Sequence, residues 1–140
     1  VNVLRRLLLG LAPRRRMREA FASHYRNRGW LEAETVSGRG STLQRTAAIR
    51  AAIPDLLREL DVHSVLDAGC GDFNWFGTMG VDLDRYVGVE VVPELAAEDQ
   101  RRFGDAVHHF AALDVTRDPL PRADLVLCRD CLVHLKTRQA

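Results

Sequence analysis

Lysine is almost absent from this sequence: of its 20 basic residues only Lys136 is a lysine, and the rest are arginines. A bias of that kind follows the base composition of a genome more readily than a selected binding surface. Cysteine is scarce too. Cys70, Cys128 and Cys131 are too few and too irregularly spaced for a disulfide framework, which points to a reducing, cytoplasmic compartment. No apolar run reaches the length that crosses a bilayer. Aromatic residues make up 6% of the chain, which argues against a nucleic-acid surface. Internal repeats and low-complexity tracts are missing as well.

What remains is enough for one domain: 140 residues, 46% hydrophobic and 28% charged. The net charge of +1 hides an asymmetry. Residues 1–30 carry eight arginines against one glutamate, a net +7, and the remainder carries 12 basic and 18 acidic residues, a net −6. Within the basic start, the apolar stretch from Leu7 to Ala12 is too short for a secretory signal, and Arg14-Arg15-Arg16 follow it at once. A basic amphipathic helix can lie on an acidic membrane surface or on nucleic acid. The acidic remainder favours a solvated or docked terminal helix instead. Residues 1–40 are read as this basic helical arm and its loop, and residues 41–140 as the α/β domain.

The periodicity predicts helix over residues 3–28 with a break around Gly10 to Pro13, then a loop through GWLEAETVSGRGS. Ser41 and Gln44 have the spacing of a capping box. Leu43, Ala47, Ile53, Leu56, Leu57 and Leu60 then recur at helical intervals, with Pro54 expected to kink or split the helix. From His63 the period changes. HSVLDA reads as a buried strand, a weakly signalled helix starts near Asn74, and RYVGVEVV reads as a second strand. Pro93 opens a helix that runs to about Phe103 and stops at Gly104. VHHFAAL and ADLVLC are the third and fourth strands, and a helix starts at Cys131. Strands alternating with helices imply crossover units and a parallel sheet.

In such sheets ligands bind beyond the carboxyl ends of the strands, and the charged residues fall there. Strand one ends at Asp67, with Gly69 and Gly71 in the turn; strand two ends at Glu90; Asp114 follows strand three; Cys128-Arg129-Asp130 follow strand four. The glycines let a ligand approach the backbone. Glu90, 21 residues after Gly69, suits two ribose hydroxyls, and Asp114 suits an exocyclic amine. GCGDFN lacks the third glycine of a dinucleotide fingerprint, and a carboxylate two residues before Gly69 suits a cation better than phosphates. Asp124, at the far end of strand four, is read as structural.

VLDAGCGDF, VGVE, LDVT and PLPRADLVLCRDCLVHL together resemble the class I S-adenosylmethionine (SAM)-dependent methyltransferases over roughly residues 25–140. GSTLQRTAAIR, DAGCGDFNWF and LCRDCLVHL narrow the resemblance to a bacterial methyltransferase-domain group. The resemblance implies a doubly wound, mainly parallel, Rossmann-like α/β sheet, here cut after its fourth strand, and SAM as cofactor. Carried over residue by residue, it assigns Asp67, Gly69 and Gly71 to the methionyl part, Glu90 and Val91 to ribose and adenine, and Asp114 and Val115 to the adenine ring. Cys128 and Arg129 flank the methyl-transfer point. Phe73 stands where the family often has its third glycine. GRGST is expected near the cofactor's mouth.

Other readings remain open at this point. An NAD-type dinucleotide enzyme is one; a non-catalytic cofactor-binding or interaction fragment is another. Cys128-x-x-Cys131 is also a redox or, with His134, a zinc pattern, but with no second ligand cluster no metal site is assigned. Asp130 and His134 are candidates for a general base, against a packing role for His134. The acceptor, expected to be a small molecule, is not encoded in these motifs. The apolar fourth strand, with no guard residue, is expected to leave an open edge that invites self-association.

Overall fold

The computed structural model describes residues 18–27, 29 and 34–135. The expected break around Gly10 to Pro13 lies outside them. Helix α1 covers residues 18–26, α2 runs Ala47–Glu59 and α3 runs Pro93–Phe103. Strands β1 (Ser64–Ala68), β2 (Arg85–Glu90), β3 (His108–Ala112) and β4 (Leu125–Leu127) pair in parallel in the order β3-β2-β1-β4. The chain is therefore an α/β domain with a parallel sheet. Among the described residues no helix is long and apolar enough to cross a membrane.

Each strand sends alternate residues to opposite faces, and two clusters result. Val65 and Tyr86 pack with Ile53 and Leu57 of α2, with Phe73, Phe76 and Phe110, and with Phe103 at the end of α3. Leu66, Ala68, Val87 and Val89 form the other face, against Leu113, Val115, Leu120 and Ala123. Both described sheet-packing helices thus lie on the first face, while the stretch after β3 covers the second. Beyond β4 no strand pairs among the described residues, and Val126 is 57% exposed.

Several local expectations need correction. No Ser41–Gln44 box starts the helix: α2 begins at Ala47 behind Thr46, which makes no side-chain capping bond, and Thr42 holds the turn that leads into it. The Arg45 N–H donates to Thr42 Oγ1 at 3.3 Å and the Thr46 N–H to the Thr42 carbonyl at 3.0 Å. Ser41 is held one residue earlier, in the short 3-10 turn Arg39–Ser41. Pro54 does not divide α2, which runs unbroken through it. The segments after β1 and β4 form 3-10 turns, Phe76–Thr78 and Leu132–His134, in place of the expected helices. Asp124 is structural as expected: its Oδ2 accepts from the Ser64 N–H (2.7 Å), the His63 N–H (3.1 Å) and the Ser64 hydroxyl (2.8 Å). These bonds tie the entrance of β4 to that of β1 and hold the Asp124 carboxyl below its ordinary value.

Phe73 is the least expected element. Its φ of 55° is a region that favours glycine, which accounts for glycine at this place in the resembled family. The ring offsets the strain. It is buried and sits 4.9 Å from Tyr86, 5.1 Å from Phe110 and 5.3 Å from Phe103, centroid to centroid. Phe73→Ala should cost about 3–5 kcal/mol in urea unfolding. Phe73→Gly should be no less stable than Phe73→Ala, because glycine relieves about 1 kcal/mol of backbone strain.

Candidate cofactor site

All four strands run the same way, so their carboxyl ends share one rim, and a cavity of about 330 Å³ opens there. Asp67, Gly69 and Gly71 from the β1 turn line it, as do Glu90 and Val91 from β2, Asp114 and Val115 after β3, and Arg129 after β4. The candidates Asp130 and His134 line it too, and the His134 ring meets Phe21 edge-on at 5.8 Å. Cys128 is exposed and is not part of the lining; Cys131 takes that place.

The glycine turn is crowded by the chain itself. A Cβ on Gly69 (φ 87°) would lie 3.0 Å from Cys131 Cβ, and one on Gly71 (φ 61°) would overlap the Ser37 hydroxyl and lie 2.9 Å from its Cβ. The turn amides are committed as well. Gly69 and Cys70 N–H donate to the Val89 carbonyl at 2.9 and 3.1 Å, and Asp72 N–H donates to Ser37 Oγ at 2.9 Å. The expectation that the glycine turn bares its amides for a ligand is thus corrected for Gly69, Cys70 and Asp72: those amides close the turn against its neighbours.

Asp72 is the anchor that sequence reasoning passed over. Its carboxylate accepts from the Thr35 hydroxyl (2.7 Å), the Val36 N–H (2.8 Å) and the Ser37 hydroxyl (2.8 Å). Glu34 Oε1 accepts from the Leu43 N–H and from Asn74 Nδ2, both at 2.7 Å. At the other end, Arg129 Nη2 donates to the Gly40 carbonyl at 2.9 Å while its guanidinium lies over Trp75 and pairs with Asp130. Residues 34–43 form a strap pinned at both ends. Val36 to Ser41 line the cavity, which places the GRGS loop at its rim as the sequence suggested.

This arrangement of strands and rim has counterparts among solved structures. CalS10, an amino pentose methyltransferase from Micromonospora echinaspora with SAM bound, matches over 71% of this chain and 42% of its own, at 24% identity and a TM-score of 0.54. Magnesium protoporphyrin IX methyltransferase (ChlM) from Synechocystis PCC 6803, also with bound SAM, matches over 89% of this chain and 65% of its own, at 17% identity and a TM-score of 0.56. The fold is that of the class I methyltransferases. The chain spans less than two thirds of the length of either protein. No protein-family model and no curated protein sequence matches it.

Within this methyltransferase fold the charges at the rim are strongly desolvated. Burial pushes the Asp67 carboxyl up to about 7, against the pull of the Tyr86 hydroxyl, with Glu90 nearby raising it further. Burial raises Glu90 as well, although the N–H groups of Val92, Val91 and Gly71 hold its charge. Asp114 is a capped turn as much as a site residue: its Oδ1 accepts from the Thr116 N–H (3.0 Å) and hydroxyl (2.6 Å) while its carboxylate lines the cavity. Burial and the neighbouring Cys128 push the Cys131 thiol up to about 12, which disfavours a thiolate of the kind redox pairs use. Among the described residues no three potential metal ligands gather.

Sequence reasoning missed Phe21 and Tyr25 of α1, Val36 and Ser37 of the strap, and Trp75. The i, i+4 spacing of Phe21 and Tyr25 is a visible signal. Their helix docks on the start of α3, where Arg26 meets Glu94 at 2.9 Å and Ala22 packs with Val92 and Leu95.

Two outcomes follow from this geometry. Gly71→Ala should destabilise the chain, and Ser37→Gly in the same molecule should recover more than about 1 kcal/mol of the loss in a double-mutant cycle by chemical unfolding. The second concerns pH. Burial also raises Asp99, to about 8, and its two carboxylate oxygens find no hydrogen-bond partner among the described residues. The folded chain therefore keeps protons on Asp67 and Asp99 that the unfolded chain releases above about pH 4. Stability should fall as pH rises from 5 to 8, and the thermal midpoint should fall with it. Asp67→Asn should make that fall below about pH 7 roughly half as steep, Asp99 supplying the rest.

Proposed function

We propose that the chain binds SAM and serves methyl transfer to a small-molecule acceptor. The observation that carries this reading is a desolvated carboxyl, Asp67, in a cavity that Glu90 and Asp114 also line. A cation compensates a buried carboxylate, and a diol and an amine satisfy the two further acids. The apolar side chains of Val91, Leu113 and Val115 offer surfaces for an adenine ring. The volume, about 330 Å³, lies within the range of small-molecule pockets. The residues present therefore fit the cofactor.

SAM, when bound, supplies an electrophilic methyl group on a sulfonium, so the chain's own task is alignment and exclusion of water. Asp67 and Glu90 would hold the cofactor's two ends. Arg129 and Trp75 close the rim beside the strap. Asp130 and His134, which line the cavity, would be the candidates to take a proton from an acceptor, and His134 also packs against Phe21. The amino pentose and porphyrin acceptors in the neighbours' names support a small molecule over a macromolecule.

An NAD-type dinucleotide is disfavoured by one specific feature. The turn amides of Gly69, Cys70 and Asp72 that would cradle a pyrophosphate already bond to Val89 and Ser37, and no α-helix follows the turn. Calorimetry with SAM and with NAD separates the readings: SAM should bind and NAD should not. Glu90→Ala should weaken SAM binding about tenfold to a hundredfold, from loss of charge-assisted bonds to a diol. Unchanged affinity would remove Glu90 from the site. SAM binding with no methylation of any acceptor offered would favour the non-catalytic alternative.

A further inference from the structure

We propose that Tyr86 is a positioning residue that sets the charge state of Asp67, and that entry of the cationic cofactor expels one proton from the site. The inference rests on the SAM reading and adds to it a residue and a proton.

The geometry comes from strand register. Asp67 pairs with Gly88 and Val65 with Tyr86, so Asp67 and Tyr86 emerge on the same face of the sheet. Gly88 puts no side chain beside the carboxyl. The Tyr86 hydroxyl donates to Asp67 Oδ2 at 2.9 Å, both side chains being buried. Phe73 and Phe76 hold the tyrosine ring, with centroids 4.9 and 4.6 Å away. Tyr86 is thus a fixed donor to one oxygen of a carboxyl that lines the cavity.

The groups facing Asp67 are Tyr86 and Glu90 from β2, Cys70 from the turn, and Arg129 and Cys131 after β4. Glu90 opposes ionisation, Tyr86 and Arg129 favour it, and burial outweighs them, leaving Asp67 with its midpoint at about 7. A positive ligand reverses that balance. The O–H bond of Asp67 breaks, its proton leaves to solvent, and the carboxylate pairs with the incoming charge. Nothing is oxidised or reduced.

The test is calorimetry of the full chain with SAM between pH 5 and 7, in buffers of different ionisation enthalpy. Affinity should rise roughly 50-fold across that range, as one released proton requires, and the binding enthalpy should depend on the buffer. 5′-Methylthioadenosine, which keeps the adenosine but carries no positive charge, should bind with a flat profile. Tyr86→Phe removes the fixed donor, so its affinity at pH 7 should be several-fold lower and its curve should level at a higher pH than the parent's. Asp67→Asn, which tests the proton's origin without touching the aromatic cluster, should lose the pH dependence. Thermal melts confirm that both variants fold. A flat SAM profile, the same slope with methylthioadenosine, or a folded Tyr86→Phe curve that superimposes on the parent would each overturn the proposal alone. No SAM binding at any pH would overturn the cofactor reading and this proposal with it.

Discussion

The turn from Gly69 to Asp72 is a close meeting point of three chain segments, and the site is assembled around it. Cys131 presses on Gly69 and Ser37 presses on Gly71, so neither position has room for a side chain. Two segments distant in sequence, the strap before α2 and the stretch after β4, are thereby brought onto the end of β1. Buried backbone N–H groups need acceptors, and here the Val89 carbonyl and the Ser37 hydroxyl supply them to Gly69, Cys70 and Asp72. Satisfying the turn internally leaves the acidic side chains, not the amides, as the polar groups available to a ligand.

That division explains the electrostatics of the cavity. Asp67, Glu90 and Asp114 reach one small desolvated space. Burying Asp67 and Glu90 there opposes the folded state as pH rises above the ordinary carboxylate range, because each must lose water or keep a proton. Functional sites are where such opposition is tolerated. The rest of the fold counterbalances it with ordinary means: an aromatic cluster under the β1 turn, Asp124 fastening two strand entrances, and Asp72 fastening the strap.

The sheet and the rim were legible in the sequence because they depend on short-range pattern. Valine-rich runs that end in acids and glycines mark buried strands and their carboxyl ends, and parallel pairing then sends those ends to one side. Asp67, Glu90, Asp114 and Arg129 could be chosen on that basis, and all four line the cavity. Among the described residues, 3-10 turns stand where helices were predicted after β1 and β4. Their stretches are short and must bend sharply to bring Phe76 into the core and Cys131 against Gly69.

The sequence by itself determined the strand-ending acids, the two glycines and the α/β order, since local periodicity and backbone freedom are properties of neighbouring residues. Only the tertiary structure decided what the glycines make room for, that Phe73 can hold a glycine-like φ, and that Tyr86 serves Asp67. Each depends on a contact across the sheet or between segments tens of residues apart, such as Ser37 with Asp72 or Arg129 with Gly40. Contacts of that range are set by how strands stack and loops return, and no run of neighbouring residues carries them.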